Sequence, residues 1–281
     1  MRGCIVYERS TAARRKEYIA LYRQHFDKHG IPFELVFTDN YREELTKTPV
    51  DFAIVRAIVP EISKELEEMR IAVYNNARVS EICNDKWLTF QYISEHTDIP
   101  FMTCMTAEEF LTKGNDFIYP LVVKNRRGHG GTEVFSVSSC EEAADLIGRY
   151  PKGSLIVQEM ASDTGRDVRV FVVGNRVVTA MLRVSEHDFR SNYCLGGKAV
   201  PYELSSYERQ MVRKITDCFS FGMVGIDFIF HRGRAVFNEI EDVVGARMLY
   251  DHTKVDIVAE YADYIIERQK RQNTGETLWD R

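Results

Sequence analysis

The strongest constraint on the fold is an alternation of short apolar runs with helical segments at the start of the chain. The runs lie at residues 5–7, 33–37, 52–59 and 71–74. Ser10 is expected to cap a first helix, which carries Tyr22 and Phe26 at helical spacing and ends at Gly30. Strands and helices that alternate in this way predict a small open α/β sheet.

The remainder of the chain favours two further units. Between residues 85 and 154 short strands and two helices predict a compact α+β lobe. Beyond a strand at 155–160, two hairpins turn at Gly174 and Gly233, where a tight turn needs positive φ, and a helix capped by Ser206 lies between them. We therefore expect a mixed α/β and α+β protein with domains at residues 1–84, 85–154 and 155–281.

The charge balance limits the class of partner. The 281 residues contain 37 Lys and Arg and 42 Asp and Glu, a net charge of −5, without a charged tail. This argues against a nucleic-acid or membrane partner. No apolar run reaches the roughly 18 residues of a membrane helix, and the six cysteines include no Cys-x-x-Cys pair. We expect a cytoplasmic protein with reduced thiols.

One candidate site for a phosphate group follows an apolar strand. Lys124 ends the run Leu-Val-Val and precedes a loop that contains Gly128, Gly130 and Gly131. Glycine lets backbone N–H groups approach an anion, and a lysine held by a strand supplies a point charge. The pattern favours a flap over phosphate, and an ordinary hairpin loop is the alternative.

Three carboxylates fall on the second hairpin. Because side chains alternate along a strand, Glu239 and Glu241 share one face with Phe237, and a turn at Gly233 puts Asp227 opposite Glu239. Like charges this close need a cation, and hard oxygen ligands suit Mg²⁺ or Mn²⁺. The hairpin predicts a divalent-metal site, with an exposed acidic face as the alternative.

Two other groups of polar residues are weaker signals. Arg190, Ser191 and Asn192 precede a glycine pair and fit either a clamp for a phosphoryl group or an ordinary loop. His25 and His29 lie one helical turn apart, but no third metal ligand is near them in sequence. We therefore interpret the two histidines as surface residues.

In their order along the chain these segments resemble the ATP-grasp superfamily and, within it, the RimK-type carboxylate–amine ligases. The resemblance covers most of the chain from Asn84 onward. The segments that carry it are residues 84–86, 122–124 with the loop after them, 158–160, 165–174, 189–192, 225–227 and 238–241.

The resemblance implies an ATP-grasp fold with an amino-terminal open α/β domain, a central lid lobe and a carboxy-terminal lobe, and with ATP between the last two. It implies that Lys86 and Lys124 hold the phosphates, with the glycine loop as a lid. The other residues that it assigns to ATP are Gln158, Glu159 and Met160 at the adenine, Asp167 at the ribose, and Arg190, Ser191 and Asn192 at the phosphates and the reacting centre.

The resemblance also implies the chemistry. Family members convert a carboxylate and ATP into an acyl phosphate and ADP, and an amine then displaces phosphate. Lys124 and Arg190 become the catalytic candidates, and Asp227, Glu239 and Glu241 would hold one or two Mg²⁺ or Mn²⁺ ions. We expect an ATP-dependent ligase that acts on small-molecule or peptide carboxylates and amines, and we leave a homo-oligomer open. A small-molecule kinase and a non-catalytic ATP-binding sensor of the same fold are the alternatives.

The chain departs from the family pattern where substrate is recognised. Glu241 stands where the branch normally has Asn, so it either binds metal or faces a substrate ammonium group. Leu195 stands where an Arg is common. Arg56 and Arg247 could receive a substrate carboxylate, with a structural role as the alternative for each.

Overall fold

The chain forms three β-sheets with helices packed against them in the computed structural model, which describes residues 1–113, 117–185, 188–191 and 197–273. A search of the described helices for one long and apolar enough to cross a membrane finds none. The mixed α/β and α+β class that the sequence predicts is thereby confirmed.

The first sheet is parallel, in the order β2-β1-β3-β4. Its strands are β1 (Gly3–Tyr7), β2 (Phe33–Phe37), β3 (Phe52–Val55) and β4 (Ala72–Tyr74), and its helices are α1 (Arg9–Arg14), α2 (Lys16–Lys28), α3 (Tyr41–Lys47), α4 (Pro60–Glu68) and α5 (Ala77–Cys83). All of β1 is buried, and its successive residues enter two different cores, because helices cover both faces of the sheet. The open α/β unit has formed as its alternating pattern predicts.

One expected helix is divided. Ser10 lies inside α1, and the preceding Glu8 occupies the cap position without a side-chain cap bond. Arg15 separates α1 from α2 because its backbone, at φ −119° and ψ 23°, leaves the helical region. The expectation that Ser10 caps a single helix is therefore wrong.

The second sheet is antiparallel, in the order β5-β8-β6-β7. Its strands are β5 (Cys104–Thr106), β6 (Leu121–Asn125), β7 (Val134–Val137) and β8 (Leu155–Glu159), and the helices α7 (Ala107–Lys113) and α8 (Cys140–Ile147) pack on it. The preceding helix α6 (Lys86–His96) buries Ile93 in a different core, that of the third sheet. β8, which the sequence analysis assigned to the third unit, pairs with both β5 and β6. Its residues therefore belong to the second sheet, although they follow the expected boundary at residue 154.

The third sheet carries the two hairpins, in the order β11-β10-β9-β12-β13. Its strands are β9 (Asp163–Val173), β10 (Arg176–Val184), β11 (Lys198–Pro201), β12 (Met223–His231) and β13 (Arg234–Glu241), and its helices are α9 (Ser206–Thr216), α10 (Arg247–His252) and α11 (Ile257–Asn273). Gly174 and Gly233 take positive φ at the two turns, as expected. One face of this sheet shares a core with α2 and the first sheet, so the two ends of the chain pack together.

The cap of α9 also differs by one residue from the prediction. Ser205, not Ser206, precedes the helix, and its hydroxyl oxygen accepts a hydrogen bond from the Glu208 backbone N–H. The Glu208 carboxylate accepts one in return from the Ser205 backbone, which completes a capping box.

Candidate active site

One large cavity, of about 1220 Å³, lies where the three sheets meet. Its walls come from β6, β8, β9 and β13 and from the loop between β6 and β7, and its far end is formed by α1, α2 and the segment after β3. Small-molecule sites usually measure about 300–1000 Å³. The cavity therefore has room for more than one reactant.

Two lysines approach each other on one wall. Lys124 is the second-last residue of β6 and is buried, with its Nζ 3.2 Å from Asn238 Oδ1, and burial lowers its pKa from the usual value. Lys86 begins α6, and its Nζ donates to Gly128 O at 2.5 Å and lies 3.3 Å from Glu239 Oε2. Both lysines line the cavity.

The glycine loop is fastened to the segment that carries Arg190. Gly130 and Gly131 have φ of 67° and 75°, a conformation that favours glycine. Arg190 Nη1 donates to Gly131 O at 2.6 Å, and its other side binds Asp188 through Nε and Nη2 at 3.0 and 2.7 Å. Arg190 therefore joins the loop to its neighbour segment. Ser191 is buried beside it, and Asn192 lies outside the described residues.

The three predicted carboxylates come together, with one oxygen of each within 4.8 Å of the others. Asp227 pairs with Glu239 across β12 and β13, which is the predicted register. The register then shifts, because a β-bulge puts two residues opposite one, and Phe237 faces Phe228 in the core. The expectation that Phe237 shares the carboxylate face is wrong, and Asn238 enters the cavity wall beside Glu239 instead.

Asp227 is enclosed by arginines that the sequence analysis did not assign to the site. Arg169 donates to it through Nε at 2.8 Å and Nη2 at 2.6 Å, and Arg183 Nη2 donates at 2.8 Å. Asp227 is 0 % exposed and, unlike Glu239 and Glu241, does not line the cavity. Side chains alternate between the two faces of a strand. This alternation along β9 and β10 was the signal in the sequence that could have placed Arg169 and Arg183 on the same face as the carboxylates of the hairpin.

The other acids of this cluster are also paired. Both oxygens of Asp167, expected at the ribose, accept from Arg183, and Arg169 Nη2 lies 2.6 Å from Glu241 Oε1. Burial raises the pKa of Asp167 and of Glu241, and the arginines oppose this rise. Burial also raises the pKa of Glu239, but the nearby Lys86 and Lys124 outweigh it and lower that pKa overall.

A second buried acid was not predicted as a site residue. Asp242 follows β13, and its two oxygens accept from Asn75 Nδ2 at 2.6 Å and Asn84 Nδ2 at 2.9 Å. Asn75 also donates to Met223 O at 2.8 Å. This network ties the end of β4 to the start of β12, so it fixes the first sheet against the carboxylate hairpin.

The residues expected at the adenine lie along one edge of the cavity. Gln158, Glu159 and Met160 all line it at the end of β8. Gln158 is buried, and the Glu159 backbone N–H donates to Thr103 O at 3.0 Å. These three residues therefore border the same cavity as the two lysines.

Arg56 occupies the opposite end of the cavity. It is only 8 % exposed, and its Nη2 donates to Val244 O at 2.7 Å. Its Nε has no hydrogen-bond partner, and no carboxylate among the described residues forms an ion pair with it. A buried guanidinium group without an anion is costly, so this arrangement suits an anionic ligand. Arg247 lines the same end.

The architecture is that of an ATP-grasp protein. It aligns with the crystal structure of D-alanine–D-alanine ligase from Bacillus anthracis complexed with ATP at a TM-score of 0.71 and 16% identity, over 99% of this chain and 100% of that one. At this identity the likeness concerns the fold alone.

The sequence comparisons identify the branch. The family described as the RimK-like ATP-grasp domain matches residues 83–265. A probable alpha-L-glutamate ligase of Histophilus somni is 26% identical over 261 residues, which are 87% of this chain and 86% of that protein. Human beta-citrylglutamate synthase B is 31% identical over 212 residues, 72% of this chain and 55% of that protein. The chain belongs to the RimK-like ATP-grasp family, and the resemblance noted in the sequence is confirmed.

Proposed function

We propose that this protein uses ATP to activate a substrate carboxylate as an acyl phosphate and then joins the acyl group to an amine. The ligase class follows from the family and from the relatives, whose names are those of a ligase and a synthase. The observation that carries the proposal is the meeting of Lys86, Lys124 and the carboxylates of β13 on the wall of one cavity.

ATP occupies the part of the cavity between β8, the glycine loop and β13 in this proposal. Lys86 and Lys124 bind phosphate oxygens, and the backbone N–H groups at Gly128, Gly130 and Gly131 cover them. Gln158, Glu159 and Met160 border the adenine, and Ser191 and Asn192 contribute near the phosphates. Because Arg183 engages both oxygens of Asp167, we assign Asp167 to the positioning of Arg183 rather than to the ribose.

The divalent cation is assigned to Glu239 and Glu241. Carboxylate oxygens are the donors that Mg²⁺ prefers, and both side chains reach the cavity. Asp227 acts indirectly in this proposal, because it accepts a hydrogen bond from Arg169, which in turn contacts Glu241. Mg²⁺ bound there would offset charge on the transferring phosphate. One or two ions, or Mn²⁺ in their place, are compatible with this donor set.

Arg190 is suited to stabilise charge at the reacting centre. A guanidinium group has five N–H donors, of which three are used by Asp188 and Gly131. The remaining two can bind the substrate oxygens on which negative charge develops. The substrate carboxylate attacks the γ-phosphorus of ATP, ADP leaves, and the amine then attacks the carbonyl carbon, loses a proton and expels phosphate. Because Arg190 also holds Gly131, loop closure and charge stabilisation are coupled, and water is kept from the acyl phosphate.

The substrate carries a second, non-reacting carboxylate that binds Arg56. Val244, which accepts from Arg56, follows Glu241 by three residues. Three residues span at most about 11 Å of backbone, so Arg56 is bonded to the segment that directly follows Glu241, and we place both carboxylates on one substrate of amino-acid or dipeptide size. The relatives named for glutamate and citrylglutamate support an acidic substrate.

The test of the proposed reaction uses hydroxylamine as the amine. Hydroxylamine attacks an acyl phosphate to give a hydroxamate and phosphate, so hydroxamate formation that requires both ATP and a carboxylate supports the ligase reaction. ADP release without hydroxamate would identify a kinase, and ATP binding without any ADP release would identify a sensor. Either of these results contradicts the proposal.

The domain limits, the cytoplasmic location and a homo-oligomer stay predictions. For the domains we propose a boundary after Glu159 instead of residue 154, because β8 pairs within the second sheet. The first boundary, between residues 84 and 85, is retained.

A further inference from the structure

Two histidines and an aspartate converge where α2 contacts α11. His25 and His29 lie one turn apart at the end of α2, and the missing third ligand is Asp263 of α11, which follows His25 by 238 residues. Each offers one ligand atom, and these atoms all lie within 4.8 Å of one another. This cluster belongs to a surface away from the cavity lining.

The three donor atoms are close to the spacing that a metal ion requires. Asp263 Oδ1 lies 2.9 Å from His25 Nε2 and 3.5 Å from His29 Nε2. Ligands at about 2.0–2.1 Å around a tetrahedral Zn²⁺ lie about 3.3 Å from each other. Only small side-chain rotations are therefore needed to surround an ion. Both histidines present Nε2, so each can keep its proton on Nδ1.

The backbone that carries the donors is fixed by packing. Tyr22 and Phe26 of α2 are fully buried in one core with Tyr261 of α11, and the rings of Tyr22 and Tyr261 meet edge to face at 6.3 Å. His29 directly follows the last residue of α2, and its backbone N–H donates to Phe26 O at 3.0 Å. Because the helices are held in place independently of the cluster, a metal would meet a preorganised set of ligands.

We propose that His25, His29 and Asp263 bind one divalent transition-metal ion, with Zn²⁺ as the best fit, and that this ion joins α2 to α11. Two imidazoles with one carboxylate favour Zn²⁺ over Mg²⁺, which prefers oxygen donors alone. His25 is 16% exposed, but His29 and Asp263 are 43% and 55% exposed. The fourth position is thus open to water. The ion would link α2, near the start of the chain, to α11, near its end.

The experiment measures zinc retention by the full-length, untagged protein. Protein stripped with EDTA is saturated with Mg²⁺ and ADP to occupy the candidate active site, and is then dialysed against Zn²⁺. We expect about one Zn²⁺ per chain, and a rise in the thermal midpoint of about 5–10 °C at a hundredfold excess over the Kd.

Matched variants separate this site from other zinc ligands. His29→Ala and Asp263→Asn should each lose the retained Zn²⁺ and the thermal shift, while His96→Gln, which changes a histidine on α6, should keep both. ATP-dependent hydroxamate formation serves as an independent check, and should be unchanged in all three variants. Equal zinc content in wild type, His29→Ala and Asp263→Asn would overturn the proposal, as would a wild type that retains none.

Discussion

The two ends of the cavity differ in how their charges are paired. At the end assigned to ATP, four acids and four bases lie close together, with Lys124 hydrogen-bonded to Asn238 beside Glu239 and the others in direct ion pairs. They are Asp167, Asp227, Glu239, Glu241, Lys86, Lys124, Arg169 and Arg183. At the other end Arg56 is buried without a carboxylate partner among the described residues.

This difference indicates what each end is built to receive. A cluster whose formal charges cancel gains little from a highly charged anion alone, so it suits a triphosphate that arrives with divalent cations. An uncompensated buried cation favours an anion that has no counterion of its own. The paired end therefore suits ATP with its cations, and we propose that the unpaired end selects the substrate.

The largest effect is expected on stability, when the ion pairs at the end assigned to ATP are disrupted. Asp227→Asn leaves Arg169 and Arg183 without their shared anion, and loss of one partner from a buried ion pair costs about 3–5 kcal/mol. Urea unfolding at neutral pH measures this loss. Glu43→Gln, which removes an exposed pair with Lys47 on α3, is the control and should leave unfolding unchanged.

Acid titration provides a second measurement of the same pair. Burial raises the pKa of Asp227, but Arg169 and Arg183 outweigh it and lower the pKa to about 2. Because the folded-state pKa is below the usual 3.8, the stabilisation by Asp227 is present above pH 4 and is lost as the pH falls towards 2. The difference in the free energy of unfolding between wild type and Asp227→Asn should therefore become smaller as the pH falls from 4 towards 2. If Asp227→Asn is as stable as the control Glu43→Gln, the ion pairs of Asp227 with Arg169 and Arg183 contribute little to stability.

The next effect tests the phosphate contact. Lys124→Ala removes a buried ammonium group, and a charge-assisted contact of about 3 kcal/mol corresponds to a loss of about 100-fold in kcat/KM for ATP. Initial rates of ADP formation measure it, with Lys64→Ala on the surface of α4 as the control. Unchanged kinetics for ATP would remove Lys124 from the site.

A smaller effect is expected at the unpaired end. Arg56→Met should raise the KM for a dicarboxylate substrate about tenfold and leave the KM for ATP unchanged, because one contact of about 1.5 kcal/mol is lost. Arg56→Lys should fall between wild type and Arg56→Met, since it keeps the charge but not the planar fork. A monocarboxylate analogue is the reference. If its KM rises as much as that of the dicarboxylate, Arg56 has a structural role.

The smallest effect concerns the cation. Glu241→Asn introduces the residue that the sequence resemblance implies at this position and removes one proposed negative ligand, so the Mg²⁺ midpoint of activity should rise several-fold with little change in the KM for ATP. A Mg²⁺ titration at saturating ATP measures this shift. An unchanged midpoint combined with a higher KM for the amine would instead assign Glu241 to the substrate ammonium group.

Local features of the sequence were sufficient for much of the fold. The glycines at 174 and 233 predicted both hairpins because only a few residues tolerate the backbone of a tight turn. The turn then set the register that puts Asp227 opposite Glu239. Lys124 at a strand end and the order of the motifs predicted the family, which the comparison confirms.

Contacts between distant segments were beyond the reach of local patterns. The bulge that sends Phe237 into the core and Asn238 to the cavity depends on how β13 meets β12, and a period of two cannot reveal it. The pairing of β8 with β5 and β6, the enclosure of Asp227 by arginines from two other strands, and the arrival of Asp263 beside His25 and His29 also required the packed chain. The sequence by itself determined the strands, the turns and the side-chain groups that are available to form a site. Only the tertiary structure decided which charges are paired, because burial and pairing depend on residues that lie far apart along the chain.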